Sequence, residues 1–207
     1  MPLGLLETGR SRKKATRQEV TIEFTRKSIH LLIAFVPYLS SLSRPMTIVL
    51  LAAGTVLYIV FETLRMRGIP IPLISRLTAR AARLRDGDRF IMGPVTLGFG
   101  ALLSLLVFKP LPASIAIYIL AFGDSFSSLV GKTLGRIPMP YTRGKSVEGS
   151  LTCFTVSLIS AYAMSRKLGA SLVIAAVSTI VEAAPTKDWD NILLPLAAGL
   201  TATLLGL

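Results

Sequence analysis

Charged residues are scarce in this sequence, and acidic residues are the scarcest of them. Of 207 residues only 16% are charged, with 11 Asp and Glu against 23 Lys and Arg. A soluble domain carries about 25% charged residues, so the shortage argues against a soluble globular protein. The single cysteine, Cys153, excludes an intramolecular disulfide framework and a multi-cysteine metal site. Because it lies in an apolar run, we interpret it as a small buried hydrophobic residue.

Hydrophobic residues, by contrast, are abundant. They account for 52% of the chain, and the mean hydropathy is +0.63. One crossing of a bilayer takes about 20 residues of apolar helix, and apolar runs occur at 28–42, 46–64, 90–108, 111–130, 147–165, 168–184 and 191–207. The sequence therefore predicts an all-α, polytopic membrane helix bundle with about seven transmembrane helices. We expect a basic N-terminal tail at 1–27, without a cleavable signal sequence, followed by one transmembrane domain at 28–207.

The stretch LISRLTARAARLR at 73–85 has a different pattern. Its apolar residues fall on one helical face, and its arginines lie together beside that face. This is typical of an amphipathic interfacial helix that binds the anionic lipids of an inner leaflet. A lid over the polar residues described below is an equally good interpretation.

Basic residues are distributed unevenly between the connecting segments, which indicates the orientation of the chain. Segments 1–27, 65–89, 131–146 and 185–190 hold 19 of the 23 Lys and Arg. The positive-inside rule places these segments in the cytoplasm, so we expect a multi-pass protein of the cell membrane with a cytoplasmic N-terminus. Every acidic residue then lies near the cytoplasmic face. Nucleic acid is not an expected partner, because no basic module interleaved with aromatic residues is present.

An acid within an apolar run is the strongest candidate for function. Asp124, in AFGDSFSSLVGKTLG at 121–135, lies about two turns inside the fourth apolar run. An unpaired charge at that depth costs roughly 2.5–3.5 kcal/mol on insertion scales, so such residues usually face a cavity or a partner. The alternative is a purely structural ion pair, with Lys132 or Lys145 as the partner.

The following loop, GKTLGRIPMPYTRGKSVEGS at 131–150, combines glycines, basic residues and hydroxyls. Glycines let a ligand approach the backbone closely, and a helix N-terminus beside basic residues is a suitable phosphate site. The G-x-x-x-x-G-K-[ST] pattern of a Walker A loop is absent. Glu148 in the same stretch favours a polyphosphate bound with Mg²⁺, whereas an ordinary positive-inside loop is the alternative.

Three further stretches bring polar residues to the same face. VEAAPTKDWDNILLPL at 181–196 contains Glu182 inside an apolar run, and Asp190, which could equally be a helix N-cap. EFTRKSIH at 23–30 spaces an acid, a lysine and a histidine along one helical face, as a polar stripe or an interfacial anchor. FETLR at 61–65 spaces an acid and an arginine to pair on one face. The acids of the last two stretches are Glu23 and Glu62.

These motifs together resemble a known family. AFGDSFSSLVGKTLG, GKSVEGS, EAAPTKDWDN and RKSIH are similar to the dolichol kinase, phytol kinase and CTP-dependent diacylglycerol kinase family of integral membrane lipid kinases. The resemblance covers about residues 23–196. It implies that the transmembrane domain is catalytic and transfers the terminal phosphate of CTP, or of another nucleoside triphosphate, to a lipid alcohol with a divalent cation, Mg²⁺.

The resemblance also implies which residues form the site. The implied catalytic residues are Asp124, Glu148 and Lys132. The implied metal ligands are Asp124, Glu148, Glu182 and Asp190. The implied nucleotide-binding residues are Lys132, Gly135, Lys145, Ser146, Gly149, Asn191, Arg26, Lys27 and His30.

Two other functions stay open at this point. Phosphatidate cytidylyltransferase also uses CTP, Mg²⁺ and a membrane lipid, but it attacks the α-phosphate; its C-terminal His-Gly-Gly followed by aspartates is absent here, since no histidine follows His30. A membrane transporter also carries acids in its helices, but here the predicted outer half has none. The acceptor (a polyprenol, a phytol-like alcohol or diacylglycerol) and the choice between CTP and ATP also stay open.

Overall fold

The computed structural model describes residues 16–69, 90–140, 142, 144–186 and 189–207, and these residues are mostly helical. The helices are α1 (Arg17–Leu31), a 3-10 turn (Leu32–Ala34), α2 (Phe35–Leu42), α3 (Arg44–Met66), α4 (Gly93–Val107), α5 (Pro110–Tyr118), a π-helical turn (Ile119–Gly123), α6 (Asp124–Thr133), α7 (Val147–Ser165), α8 (Leu168–Ala183) and α9 (Asp190–Leu204). Within these described ranges there is no β-strand, and one isolated bridge joins Pro138 to Ser146. The predicted all-α fold class is confirmed.

Three stretches of helix are long and apolar enough to cross a bilayer. They are α3, α7 and the continuous helix Pro110–Thr133, which consists of α5, the π-helical turn and α6. Helices α4, α8 and α9 are apolar but have only 15, 16 and 15 residues, whereas a span takes about 17–25. The prediction of about seven transmembrane helices is therefore not confirmed in the described part of the chain.

The first predicted span, 28–42, is interrupted. α1 ends at Leu31, and a 3-10 turn separates it from α2, which has 8 residues. Pro37 explains the interruption, because in a continuous α-helix its ring would clash with the carbonyl of Ile33. α1 begins at Arg17, so residues 17–27 of the predicted tail are helical, while the boundary of the tail at residue 27 stays a prediction. The predicted amphipathic helix at 73–85 lies outside the described residues.

The continuous helix Pro110–Thr133 lies at the centre of the bundle. Of its apolar stretch, 61% is buried inside the protein, against 11% for α3. α3 exposes large apolar side chains such as Val49, Leu50 and Val56, as expected of a helix that faces lipid. α1 packs against α6, α7 packs between α6 and α8, and α9 packs against α4, α5 and α8. The polar ends of α1, α6 and α8 are therefore brought to one place.

The π-helical turn directly precedes Asp124. It inserts extra backbone into the helix and so changes the face that Asp124 presents relative to α5; such turns are frequent at functional sites. Gly123 lets the helix approach α7 at this level, since a Cβ there would lie 2.9 Å from Ser157 Oγ and 3.8 Å from Cys153 Sγ. Cys153 is buried, as predicted.

Candidate active site

Three lysine–carboxylate pairs connect four parts of the chain at one end of the bundle. Lys27 of α1 pairs with Asp124 of α6, and Lys132 of α6 pairs back with Glu23 of α1. Lys145, in the loop before α7, lies 2.7 Å from Glu182 Oε1 of α8. The carboxylate side chains are 1–4% exposed, whereas Lys132 and Lys145 are 31% and 25% exposed. We call these six residues the lysine–carboxylate cluster. Its three carboxylates form a buried acidic floor, and Lys132 and Lys145 form a partly exposed basic rim.

Asp124 is buried within the lysine–carboxylate cluster. Its residue is 2% exposed, and its Oδ2 accepts a hydrogen bond from Lys27. The Nδ1 atom of His30, on the same face of α1 as Lys27, lies 3.4 Å from the same oxygen. The sequence left Lys132 or Lys145 as the partner of Asp124 in a structural ion pair; the structure assigns that position to Lys27. Asp124 is therefore both buried and charge-compensated.

Glu182 is joined to Asp124 through a serine. The Ser127 hydroxyl lies 3.2 Å from Glu182 Oε1 and 3.1 Å from the backbone oxygen of Asp124. Lys145 contacts both the carboxylate and the backbone oxygen of Glu182. The second carboxylate oxygen, Oε2, is buried and has no hydrogen-bond partner among the described residues. Burial of a carboxylate oxygen without a partner is energetically unfavourable unless a ligand supplies a positive charge or a hydrogen-bond donor.

Asp190 and Asn191 border the cluster from the start of α9. Asp190 interacts electrostatically with Asp124, Lys27 and Lys145, and its Oδ1 accepts the backbone N–H of Asn191 at 2.9 Å. The Asn191 side-chain amide turns instead to α4, where it donates to Thr96 Oγ1 at 2.9 Å. Asp190 thus adds a fourth carboxylate beside the cluster, while Asn191 fixes α9 to α4.

The loop before α7 is closed by hydrogen bonds that present Lys145 to the cluster. The backbone N–H of Met139 donates to the backbone oxygen of Lys145 at 3.0 Å. The Ser146 hydroxyl caps α7 by accepting the backbone N–H of Gly149 at 3.2 Å. Glu148 accepts the backbone N–H of Arg136 at 2.8 Å, and that of Ile137 as well. Its described contacts therefore hold the loop, and its roles in metal binding and catalysis stay predictions, as does nucleotide binding by Gly135.

Glycine is required where α7 approaches α6. A Cβ at Gly149 would lie 2.9 Å from the backbone oxygen of Ser127 and 3.2 Å from the Cα of Gly131. Both distances are too short for a side chain to be added without movement of backbone. Gly149 therefore sets the distance between the helix that carries Asp124 and the loop that carries Lys145.

Basic side chains around Glu23 counteract its burial. Burial alone would raise the pKa of Glu23, but the charges of Arg26, Lys27 and Lys132 together hold it below its ordinary value of 4.5. Arg26 is itself 3.2 Å from Glu23. Glu23 is thus an anion at neutral pH and contributes to the charge balance of the cluster.

The oxygen donors of this site fit a divalent cation that arrives with a nucleotide. Within the described ranges, no three His, Cys, Asp or Glu side chains are grouped closely enough to hold a metal ion by themselves. Mg²⁺ commonly uses only one or two carboxylates and completes its coordination with phosphates and water. The unpartnered Glu182 Oε2 is an available donor of that kind.

Residues outside the predicted site also contribute. The sequence places Glu23 in a polar stripe outside the implied site, although its i,i+4 spacing from Lys27 puts both on one helical face. Ser127 was not singled out, although it lies three residues after Asp124. Thr96, the partner of Asn191, has no signal in the sequence, since an isolated threonine within a mainly apolar helix is common.

Comparison with known proteins identifies relatives by sequence. The chain is 32% identical over 141 residues to proteins named "Probable phytol kinase, chloroplastic" from Triticum aestivum and Zea mays, with 58% of the chain aligned in each case. It is 32% identical over 157 residues to "Probable phytol kinase 2, chloroplastic" from Glycine max, with 66% of the chain aligned. The alignments cover 46–54% of these proteins, so the chain spans about half the length of the curated relatives it matches. No family model and no solved structure matches.

These findings define a helical protein with three stretches long and apolar enough to cross a membrane, and with a buried lysine–carboxylate cluster at one end of the bundle. The similarity to proteins named phytol kinase confirms the resemblance to the dolichol kinase and phytol kinase family.

Proposed function

We propose that this chain is a membrane lipid-alcohol kinase that transfers the terminal phosphate of CTP to a polyprenol, a phytol-like alcohol or diacylglycerol. The lysine–carboxylate cluster is the observation that supports this proposal. In it, three lysines and three acids from α1, α6, α8 and the loop before α7 meet at one site. Such a site can bind a triphosphate together with its cation, because the lysines can bind the negative phosphates and the carboxylates can bind the positive metal ion. The names of the relatives support a lipid alcohol as the acceptor.

The nucleotide would bind at the basic rim of the cluster. Lys132 and Lys145 are the partly exposed lysines of the cluster, so triphosphate oxygens can take the place of Glu23 and Glu182 beside them. Lys27 is buried and would reach the terminal phosphate from below. The further nucleotide-binding residues that we propose are Arg26, His30, Asn191, Ser146, Gly149 and Gly135.

Two carboxylates of the cluster and one beside it would hold the divalent cation. Asp124, Glu182 and Asp190 are the proposed ligands, with Glu182 Oε2 available without breaking an existing hydrogen bond among the described residues. Glu148 stays a further candidate for metal binding and catalysis. When bound, Mg²⁺ would neutralise phosphate charge as the reaction proceeds.

The proposed reaction is an in-line displacement at the γ-phosphorus. The hydroxyl oxygen of the lipid alcohol forms a bond to the γ-phosphorus while the bond to the β–γ bridging oxygen breaks, and CDP leaves. The hydroxyl proton passes to a carboxylate, for which Asp124 is the proposed acceptor. Lys132 and Lys27 stabilise the negative charge on the transferring group, and positioning supplies most of the rate enhancement.

The location of the site also belongs to this proposal. We place the protein in a cell membrane as a multi-pass protein with the N-terminus and the site on the cytoplasmic face, where anionic lipids would contact the basic segments. The relatives are named chloroplastic, so in a plastid the corresponding face would be the one that meets the nucleotide pool.

Isotope labelling tests the proposed reaction. Purified full-length protein in detergent is given Mg²⁺, a mixture of lipid alcohols, and CTP labelled at either the γ- or the α-phosphorus. We expect labelled lipid from γ-labelled CTP, loss of labelling with EDTA, and a large reduction in Glu182→Gln. Labelled lipid from α-labelled CTP would instead establish a cytidylyltransferase. No labelled lipid from either, with uptake of a solute into proteoliposomes, would establish a transporter.

A further inference from the structure

We infer that Tyr58 and Glu62 of α3 are positioning residues for the nucleotide side of the candidate site, acting through the first turn of α4. The inference rests on the proposed lipid-kinase function and extends it to two side chains outside the lysine–carboxylate cluster. Neither residue belongs to the site implied by the sequence motifs.

Glu62 is a buried carboxylate on a helix that otherwise exposes mostly apolar side chains. It is fully buried (0% exposed), and Thr47 is the other buried residue of α3. Arg65 donates to both of its oxygens, at 2.7 and 2.9 Å. The same carboxylate accepts the backbone N–H of Ile91 at 3.0 Å. A buried carboxylate is energetically costly without such partners. We therefore expect Glu62 to have a specific structural or functional role.

Tyr58 completes a two-point attachment of the backbone at Ile91. One turn before Glu62, the Tyr58 hydroxyl donates to the backbone oxygen of Ile91 at 3.1 Å. Both the N–H and the C=O of Ile91 are therefore bound by α3. Met92, the N-cap of α4, makes no side-chain capping hydrogen bond. The attachment to α3 thus supplies the constraint on the start of α4 that a capping side chain would otherwise provide.

The first turn of α4 in turn contacts residues of the candidate site. The backbone oxygen of Gly93 accepts from the Asn191 side chain at 3.4 Å, and Thr96 Oγ1 accepts from it at 2.9 Å. On its other side, a Cβ at Gly93 would lie 3.8 Å from Arg26 Nη2. Asn191 directly follows Asp190, which interacts with the cluster. A shift of this turn would therefore move two proposed nucleotide-binding residues together.

Positioning of this kind predicts a characteristic kinetic effect. A change that weakens ground-state and transition-state binding of a substrate equally raises its KM and leaves kcat unchanged. Because Asn191 and Arg26 are assigned to the nucleotide, we expect the KM for CTP to rise while the KM for the lipid alcohol stays unchanged.

Steady-state kinetics of the purified full-length protein test the inference. We expect Tyr58→Phe and Glu62→Gln to raise the KM for CTP about tenfold with less than about a threefold change in kcat. Tyr38→Phe is the matched control, because Tyr38 is exposed on α2, and it should behave as wild type. Tyr58→Phe removes one hydroxyl and keeps the test valid if Glu62→Gln fails to fold.

A double-mutant cycle distinguishes positioning from general destabilisation. The effects of Tyr58→Phe and Asn191→Ala on the KM for CTP should be less than multiplicative, because both act through the first turn of α4. Tyr58→Phe combined with Lys145→Met should be multiplicative. Multiplicative effects in both cycles, or a lowered melting temperature with an unchanged KM for CTP, would overturn the inference and leave the kinase function standing. An inactive wild-type protein would overturn both.

Discussion

Lys27 and Asp124 form a buried ion pair between α1 and α6, although 97 positions separate them in the chain. Their side chains are 4% and 3% exposed, so neither charge is compensated by bulk water. Removing one member of a buried pair typically costs about 3–5 kcal/mol, because the other charge is left unpaired. A single substitution at either position therefore combines a chemical effect with a stability effect, and a useful test has to separate them.

A paired substitution separates these two effects at Asp124. We expect Asp124→Asn to lower lipid phosphorylation by at least about 100-fold, the usual contribution of a proton acceptor, and to lower the melting temperature. Lys27→Met combined with Asp124→Asn removes both charges, so it should recover much of the melting temperature and stay inactive. Recovery of phosphorylation in the double variant would exclude Asp124 as the proton acceptor.

The two partly exposed lysines of the cluster should affect nucleotide binding. Hydrogen bonds to charged groups contribute about 1.5–3 kcal/mol, so Lys132→Met and Lys145→Met should each raise the KM for CTP about 10–100-fold. Lys109→Met is the matched control, since Lys109 is an exposed lysine at the other end of the central helix. Initial rates over a range of CTP concentrations measure the effect. Variants with the wild-type KM would show that the phosphates bind elsewhere.

The close contact between α6 and α7 predicts different outcomes for two glycines. Gly149→Ala places a methyl group against the backbone of Ser127 and should destabilise the protein by about 1–3 kcal/mol, as overpacking typically does. Gly54→Ala in α3 meets nothing within 4 Å and should be neutral or slightly stabilising. Thermal unfolding in detergent compares the two. Equal melting temperatures would contradict the close packing at Gly149.

The low pKa of Glu23 predicts how stability depends on pH. A carboxyl whose pKa is lowered by folding stabilises the protein above its ordinary pKa, here 4.5, and loses that contribution as the pH falls through its folded value. Glu23→Gln should therefore melt at a lower temperature than wild type at pH 7. The two melting temperatures should converge below about pH 4.5. A gap that is constant with pH would mean that the carboxylate charge does not contribute.

Local sequence patterns were sufficient for several features. The apolar runs indicated helices, because a helix satisfies its own backbone hydrogen bonds in an apolar environment. The i,i+3 spacing of Glu62 and Arg65 indicated a pair, which the structure has at 2.7 Å. The motifs around Asp124, Lys145 and Glu182 indicated a resemblance to a family, and the sequence similarity to proteins named phytol kinase confirms that resemblance. Each of these depends on residues close together in the chain, or on motifs that stay recognisable by themselves.

Features that depend on packing between distant segments were decided only by the tertiary structure. Lys27, rather than Lys132 or Lys145, pairs with Asp124, because α1 packs against α6 in the register that brings these residues together. The apolar runs did not reveal that α4, α8 and α9 are shorter than a full span. The physical reason is that spacing along one helix determines which of its side chains share a face. Partners on other helices depend on rotation, depth and helix ends, and these are determined jointly by all the packed segments.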